Sequence, residues 1–209
     1  MLTAEEYEVV IAFDDLCNKK KLWQKLTWRG HDVAKTTEDM WLYQEVICAL
    51  KPGLIVEFGT NLGGTALFYA DMLDLCSDNH EANVISVDIL AREHLPKHRR
   101  LSYLVGHSRH DEIIEQVREA ARFATGPVLI IEDSEHTGHH VGGELEAYHD
   151  LVTPGSWFVI EDLNWPSRPN STQEAVAEFL RTHRNFVVDE SKDKYLLSVA
   201  PNGWLKRIE

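Results

Sequence analysis

Five short apolar runs limit what this chain can fold into: L-I-V-E-F (54–58), V-I-S-V-D (84–88), L-S-Y-L-V (101–105), V-L-I-I-E (128–132) and W-F-V-I-E (157–161). Each ends at or beside an acid or a glycine. Near-continuous aliphatic strands of this kind are buried on both faces, as in a parallel sheet. Amphipathic segments near 63–76, 109–124, 139–151 and 172–183 separate the runs and supply the covering helices. Two late runs, F-V-V-D (186–189) and Y-L-L-S-V (195–199), joined by polar residues 190–194, read as a closing hairpin. Upstream, residues 3–27 and 37–50 carry helical spacing. Thr36 with Asp39 gives a capping signal, and Pro52-Gly53 stops the second helix. The pattern predicts an α/β fold with a doubly wound, mostly parallel Rossmann-like sheet of about seven strands, the last antiparallel. Residues 1–209 read as one domain, in which 1–50 form a small helical cap and 51–209 the core.

Charge narrows the partners. Of 209 residues, 21 are Lys or Arg and 34 are Asp or Glu, a formal net charge of −13. A nucleic-acid backbone needs clustered basic residues, so that partner is disfavoured, as is an anionic membrane surface. A small neutral or cationic substrate fits better, or one whose charge a metal neutralises. The acidic start M-L-T-A-E-E-Y-E lacks the basic flank and apolar core of a secretory signal. The longest aliphatic stretches, such as 128–131, are too short to cross a bilayer. Cys17, Cys48 and Cys76 show no C-x-x-C spacing and lie in helical segments. They read as reduced packing thiols, and the chain as a soluble cytoplasmic protein.

In doubly wound sheets ligands bind beyond the carboxyl ends of the strands, where strand order reverses. Unusual residues collect at those ends. The first strand runs into E-F-G-T-N-L-G-G-T, Glu57 to Thr65, where Gly59 permits a tight turn and Gly63 and Gly64 let the backbone approach a ligand. The spacing is not the G-x-G-x-x-G of dinucleotide enzymes. The second strand ends at Asp88, a carboxylate able to accept both ribose hydroxyls of a nucleoside. NAD enzymes use the same device, so Asp88 alone leaves the nucleoside open. After the third strand come Gly106, His107 and Ser108, placed to flank an adenine ring. The fourth ends in Asp133 with His136 three residues on, and the fifth in Glu161 and Asp162. Three acids on one sheet edge repel one another unless protonated or bridged by a cation. All-oxygen ligation suits Mg²⁺ or Mn²⁺. His136 beside them has the pKa range of a base. A rival transition-metal site would use His136 with His139 or His140.

The acid-glycine turn resembles the first motif of class I S-adenosylmethionine-dependent methyltransferases. Together with D-S-E-H-T, E-L-E-A-Y, L-V-T-P-G-S and V-I-E-D-L-N, it is similar to the cephalosporin-hydroxylase-type family, from about Trp28 to Trp204. That family includes Mg²⁺-dependent O-methyltransferases acting on rhamnosyl and macrolide sugar units. The resemblance implies an enzyme transferring a methyl group from S-adenosylmethionine to a hydroxyl of a small natural-product metabolite. It implies Asp133, Glu161 and Asp162 as metal ligands and His136 as catalytic base. It implies Glu57, Gly59, Thr60, Asn61, Gly63, Thr65, Asp88, Ser108 and Asp133 as the cofactor site. His107 departs from the family's usual acidic or small polar residue. Alternatives are a nicotinamide-dependent oxidoreductase, a hydroxylase-type enzyme on the same fold, or a binding protein that has kept a nucleoside pocket. Trp23, Trp28, Trp41 and Trp165 are candidate substrate-facing aromatics, with 165–170 a candidate lid. The amino-terminal helices either mediate homo-oligomer formation or cover the sheet.

Overall fold

The computed structural model describes residues 3–163 and 171–209. Thr3 opens α1 (Ala4–Lys19) with a reciprocal cap: its hydroxyl accepts the Glu6 amide at 3.2 Å, and its own amide donates to the Glu6 carboxylate at 2.7 Å. This helix buries none of its residues, and Tyr7, Val9, Ile11, Phe13 and Leu16 are exposed. An antiparallel hairpin follows, β1 (Leu26–Trp28) and β2 (His31–Val33). The expectation of one helix over 3–27 and a purely helical cap is thereby corrected. Lys21 takes a left-handed conformation, and Arg29-Gly30, both at positive φ, turn the hairpin. The Trp28 indole donates to Asp71 at 2.7 Å and meets Phe68 edge-on at 5.0 Å, so this tryptophan packs the cap against the next layer. Trp41 is exposed.

The second helix, α2 (Thr37–Leu50), starts where the Thr36 hydroxyl accepts the Asp39 amide at 3.1 Å and ends at left-handed Lys51. Beyond it, strands and helices alternate: β3 (Leu54–Phe58), α3 (Gly64–Cys76), β4 (Asn83–Asp88), β5 (Leu101–Val105), α4 (Asp111–Phe123), β6 (Val128–Glu132), α5 (Gly138–Tyr148), β7 (Trp157–Ile160), α6 (Ser171–Thr182), β8 (Phe186–Val188) and β9 (Trp204–Arg207). The large sheet has seven strands in the order β5-β4-β3-β6-β7-β9-β8. Only β9 runs against its neighbours. The strand order reverses between β3 and β6, which are the middle of the sheet.

Period-2 alternation divides the core between the two faces. Val56, Phe58, Ile130 and Ile160 pack with Val117, Leu145 and Phe179 of α4, α5 and α6. Ile55, Ile131 and Val159 pack instead with Tyr43, Ile47, Tyr69 and Leu73 of α2 and α3. Thus α2 covers the sheet, while α1 does not.

Two further expectations are corrected. Residues 195–199 do not pair with β8; β9 does, with Val187 opposite Lys206. The backbone of 195–199 is engaged elsewhere. Asp39 of α2, itself buried, accepts the Ser198 hydroxyl at 2.7 Å and the Val199 amide at 3.0 Å. The cysteines also differ: Cys48 and Cys76 form a disulfide with Cα atoms 4.8 Å apart, while Cys17 is free. Packing of α2 on α3 brings their C-terminal ends together, a proximity that residue spacing does not report. No helix among the described residues is long and apolar enough to cross a membrane.

Gly59 is where two strand ends nearly touch. Its φ is +101°, and a Cβ there would lie 1.9 Å from the Asp133 carbonyl oxygen. Gly59→Ala is expected to destabilise the fold by more than about 3 kcal/mol, through both backbone strain and displacement of the β6 tip. Urea unfolding of the purified variant measures this, and a loss under about 1 kcal/mol would contradict the close approach.

Candidate functional site

Backbone hydrogen bonds beyond the regular ladders align three strand tips. The Asp133 amide donates to the Phe58 carbonyl at 2.9 Å, and the Glu161 amide to the Glu132 carbonyl at 3.0 Å. The tips of β3, β6 and β7 therefore lie side by side at the point where strand order reverses. The glycine loop is packed from above as well: a Cβ on Gly64 would come within 2.1 Å of the Asp32 carbonyl oxygen in β2. The hairpin thus sits directly on the start of α3.

Glu57 is fully buried. One oxygen accepts the Ser86 hydroxyl at 2.5 Å, while Oε1 is buried with no hydrogen-bond partner among the described residues. Burial, partly offset by hydroxyl hydrogen bonds, raises its pKa to about 7. Thr60 shares the Ser86 hydroxyl at 2.7 Å. Asp88 locks the loop to β4, since its carboxylate accepts the Asn61 amide and the Leu90 amide at 2.9 and 2.8 Å. Asn61 sits at a left-handed φ of 47°, which asparagine tolerates well. Gly63, also at positive φ, caps α3, and Thr65 is buried in its first turn.

Ser108 is engaged away from the loop. Its buried hydroxyl donates to Glu144 and lies 3.3 Å from His140 Nε2, and its carbonyl accepts the Tyr148 hydroxyl. His140 in turn lies 2.9 Å from Glu144, so the rival grouping of His136 with His140 does not assemble, and His139 is exposed. The same polar cluster reaches Glu132 through Ser134, whose hydroxyl lies 2.9 Å from Glu132 and 3.1 Å from Glu144.

The acidic cluster is divided in two. Asp133, His136 and Asp162 each offer a ligand atom, all within 4.8 Å of one another. His136 Nε2 lies 2.8 Å from Asp162 and 3.8 Å from Asp133. Burial disfavours the charged imidazole, but the hydrogen bond and charge of Asp162, with Asp133 and Glu132, override it and raise the pKa to about 9. The two carboxylates form an oxygen donor pair that fits a hard divalent cation, with the imidazole beside it. Glu161 turns the other way. Its two oxygens take the Lys35 ammonium and the Tyr43 hydroxyl, the latter at 2.6 Å. Asp162 has a φ of 55°, and this left-handed step lets adjacent residues face different partners.

Lys35 is the residue that the sequence reading missed. It is wholly buried and forms ion pairs with both Asp133 and Glu161. Burial opposes its charge, yet the two carboxylates raise its pKa well above the usual lysine range. Its partners lie about a hundred residues away in sequence, and its flanking residues, Ala34 and the capping Thr36, carry no signal. Tyr43 was legible only as an apolar helix position. The loop expected over 165–170 and Trp165 lie outside the described residues.

A family model described as Rhamnosyl O-methyltransferase/CmcI matches residues 20–208. A rhamnosyl O-methyltransferase of Mycobacterium leprae (strain TN) is 31% identical over 199 residues, covering 89% of this chain and 85% of the relative. Another, of Mycobacterium tuberculosis (strain CDC 1551 / Oshkosh), is 30% identical over 199 residues, with 89% and 80% covered. A solved structure of CmcI with Mg-SAM superposes with a TM-score of 0.69 at 19% identity, covering 89% of this chain and 78% of that one. That likeness establishes the shared fold. With 31% identity along most of its length and a family model spanning residues 20–208, the chain belongs to the Rhamnosyl O-methyltransferase/CmcI family and is an enzyme of the O-methyltransferase class.

Proposed function

We propose that this enzyme transfers the methyl group of S-adenosylmethionine to a hydroxyl of a small natural-product metabolite of sugar type, with Mg²⁺ as the resident cation. The observation that carries this reading is the meeting of Asp133, His136 and Asp162 within 4.8 Å, at the same sheet edge as the glycine loop. Relatives named rhamnosyl O-methyltransferases support the sugar-type acceptor, and the CmcI structure of the same fold holds Mg-SAM.

Each half of the site has its own task. The unpaired buried Oε1 of Glu57 suits the ammonium of the cofactor's amino-acid end. Asp88, fixed by two backbone amides, suits the ribose hydroxyls. The loop from Gly59 to Thr65 lets the cofactor approach the backbone closely, and Ser108 contributes through its main chain, its hydroxyl being committed to Glu144. At the acidic end, Asp133 and Asp162 would hold the ion, with Glu161 completing the set if Lys35 yields its pair. The ion, when bound, polarises the acceptor hydroxyl as a Lewis acid. Asp162 and Asp133 favour the protonated ring while their charge is uncompensated, so His136 would accept the hydroxyl proton in its neutral form, once a cation takes up that charge, as the oxygen attacks the methyl carbon. The carbon–sulfur bond breaks with its electron pair on sulfur, leaving S-adenosylhomocysteine. A positioned base of this kind contributes about 10²–10⁴ in rate, and alignment in a dry site supplies much of the rest.

Calorimetric titration with S-adenosylmethionine and with NAD⁺, each with and without Mg²⁺, tests the cofactor. Micromolar binding of S-adenosylmethionine is expected, and binding of NAD⁺ in its place would transfer the reading to the nicotinamide alternative. His136→Ala should keep that binding while slowing turnover by about 10²–10⁴; equal loss of both would mean the imidazole holds the site together instead. Lys35→Met should lower the stability of the metal-free protein by about 3–5 kcal/mol, because it strips the cation from the buried Glu161 carboxylate and the partly buried Asp133 carboxylate. The same variant should show a larger upward melting shift on Mg²⁺ addition than the natural enzyme. An equal shift would mean that lysine and ion do not compete.

A further inference from the structure

At the end of α5 and α6 remote from the acidic site lies a second group of ligating side chains. Glu146 on the last turn of α5, His149 just beyond it, and His183 just beyond α6 each offer one atom within 4.8 Å of the others. Glu146 and His149 stand three residues apart, so both leave the helix end on one side. The helix α5 has 11 residues, which puts this group about 16 Å from the His136 end.

Four observations point to a cation there. The His183 Nδ1 is held by the Phe179 carbonyl at 3.2 Å and the Thr182 hydroxyl at 3.0 Å, which leaves Nε2 as the nitrogen turned towards the group. That Nε2 faces Glu146 at 3.7 Å. A backbone carbonyl holding the distal nitrogen is the usual support of a metal-bound imidazole. The second observation is His149 Nδ1, a buried atom with no hydrogen-bond partner among the described residues. Third, both rings are already fixed in place. They meet at 4.3 Å between centroids, and His183 also stacks on Phe179 at 4.3 Å. Fourth, two helices end at the group, and the negative ends of their dipoles favour positive charge.

We propose that Glu146, His149 and His183 form a separate site for a transition-metal ion of the Zn²⁺ type, clipping the end of α5 to the end of α6. Two imidazoles and one carboxylate select Zn²⁺, Co²⁺ or Ni²⁺ over Mg²⁺, the reverse of the preference at Asp133 and Asp162. Bonds of about 2.0–2.2 Å place tetrahedral ligands about 3.4 Å apart. Rotation of Glu146, whose side chain is 63% exposed, closes the remaining gap. Solvent reaches the group beside Glu146 and would supply the fourth ligand.

The test is uptake of Zn²⁺ and Co²⁺ by the full chain after dialysis against a chelator, with Mg²⁺ in excess. Calorimetry gives the stoichiometry, and the visible spectrum of bound Co²⁺ gives the ligand environment. Glu146→Gln and His183→Gln are each expected to bind one equivalent fewer than the natural protein, with the same far-ultraviolet circular dichroism. Asp162→Asn should retain that equivalent and its spectrum. Glu146→Gln guards against a folding artefact, since Glu146 is exposed and packs against little. Unchanged uptake in both of the first two variants would overturn the proposal. So would loss of the equivalent in Asp162→Asn, which would place the ion at the acidic site.

Discussion

The charge balance at the carboxyl edge of the sheet governs the rest of the site. Asp133 and Glu161 are brought together by the tips of β6 and β7, and Lys35 enters from the cap as their common cation. Removing two such charges from water costs several kcal/mol each unless a partner compensates. The cap is therefore part of the site's electrostatics as well as its cover. Lys35 and Tyr43 act together, each placing a donor against Glu161 at the tip of β7, and the Thr36 cap between them starts the helix that carries Tyr43.

Alternation along the strands then sorts the acids by face. Glu57 and Glu161 share parity with Ile55 and Val159 and so face α2 and α3. Glu132 shares parity with Ile130 and faces α5, where it joins Ser134, Glu144, His140 and Ser108. Two polar clusters result, one on each side of the sheet. Asp133 and Asp162 lie just past the strand ends, where parity lapses, and so stay available to His136. The proposed combination of nucleoside binding with proton removal would benefit from this division. The loop side is rigid and held by backbone amides, while the acidic side keeps charges that a cation and a proton can shift.

Much of this was legible in the sequence. The strands at 54–58, 84–88, 101–105 and 128–132, and the helices near 63–76, 109–124 and 172–183, follow from periodicity and from glycine and proline stops, and the structure places them within a residue or two. That Asp133, Asp162 and His136 meet follows from strand-end positions converging in a doubly wound sheet, whereas Glu161, expected with them, turns to Lys35 and Tyr43. Residues 26–33 and 195–207 were not. Their local patterns suit more than one structure: Arg29 and Gly30 at positive φ turn the first into a hairpin, and in the second Asp39 holds the Ser198 hydroxyl and the Val199 amide while β9 pairs with β8.

The sequence by itself determined the alternating architecture, the glycine turn and the identity of the residues at the strand tips, since these depend on local periodicity and on the absence of a side chain at Gly59. Tertiary structure alone decided how those residues are shared out. Lys35 against Glu161, Ser108 against Glu144 and Cys48 against Cys76 are contacts between residues 126, 36 and 28 positions apart. Such pairs form because packing brings their elements together, and desolvation then leaves each buried polar group bound to whatever partner lies within reach.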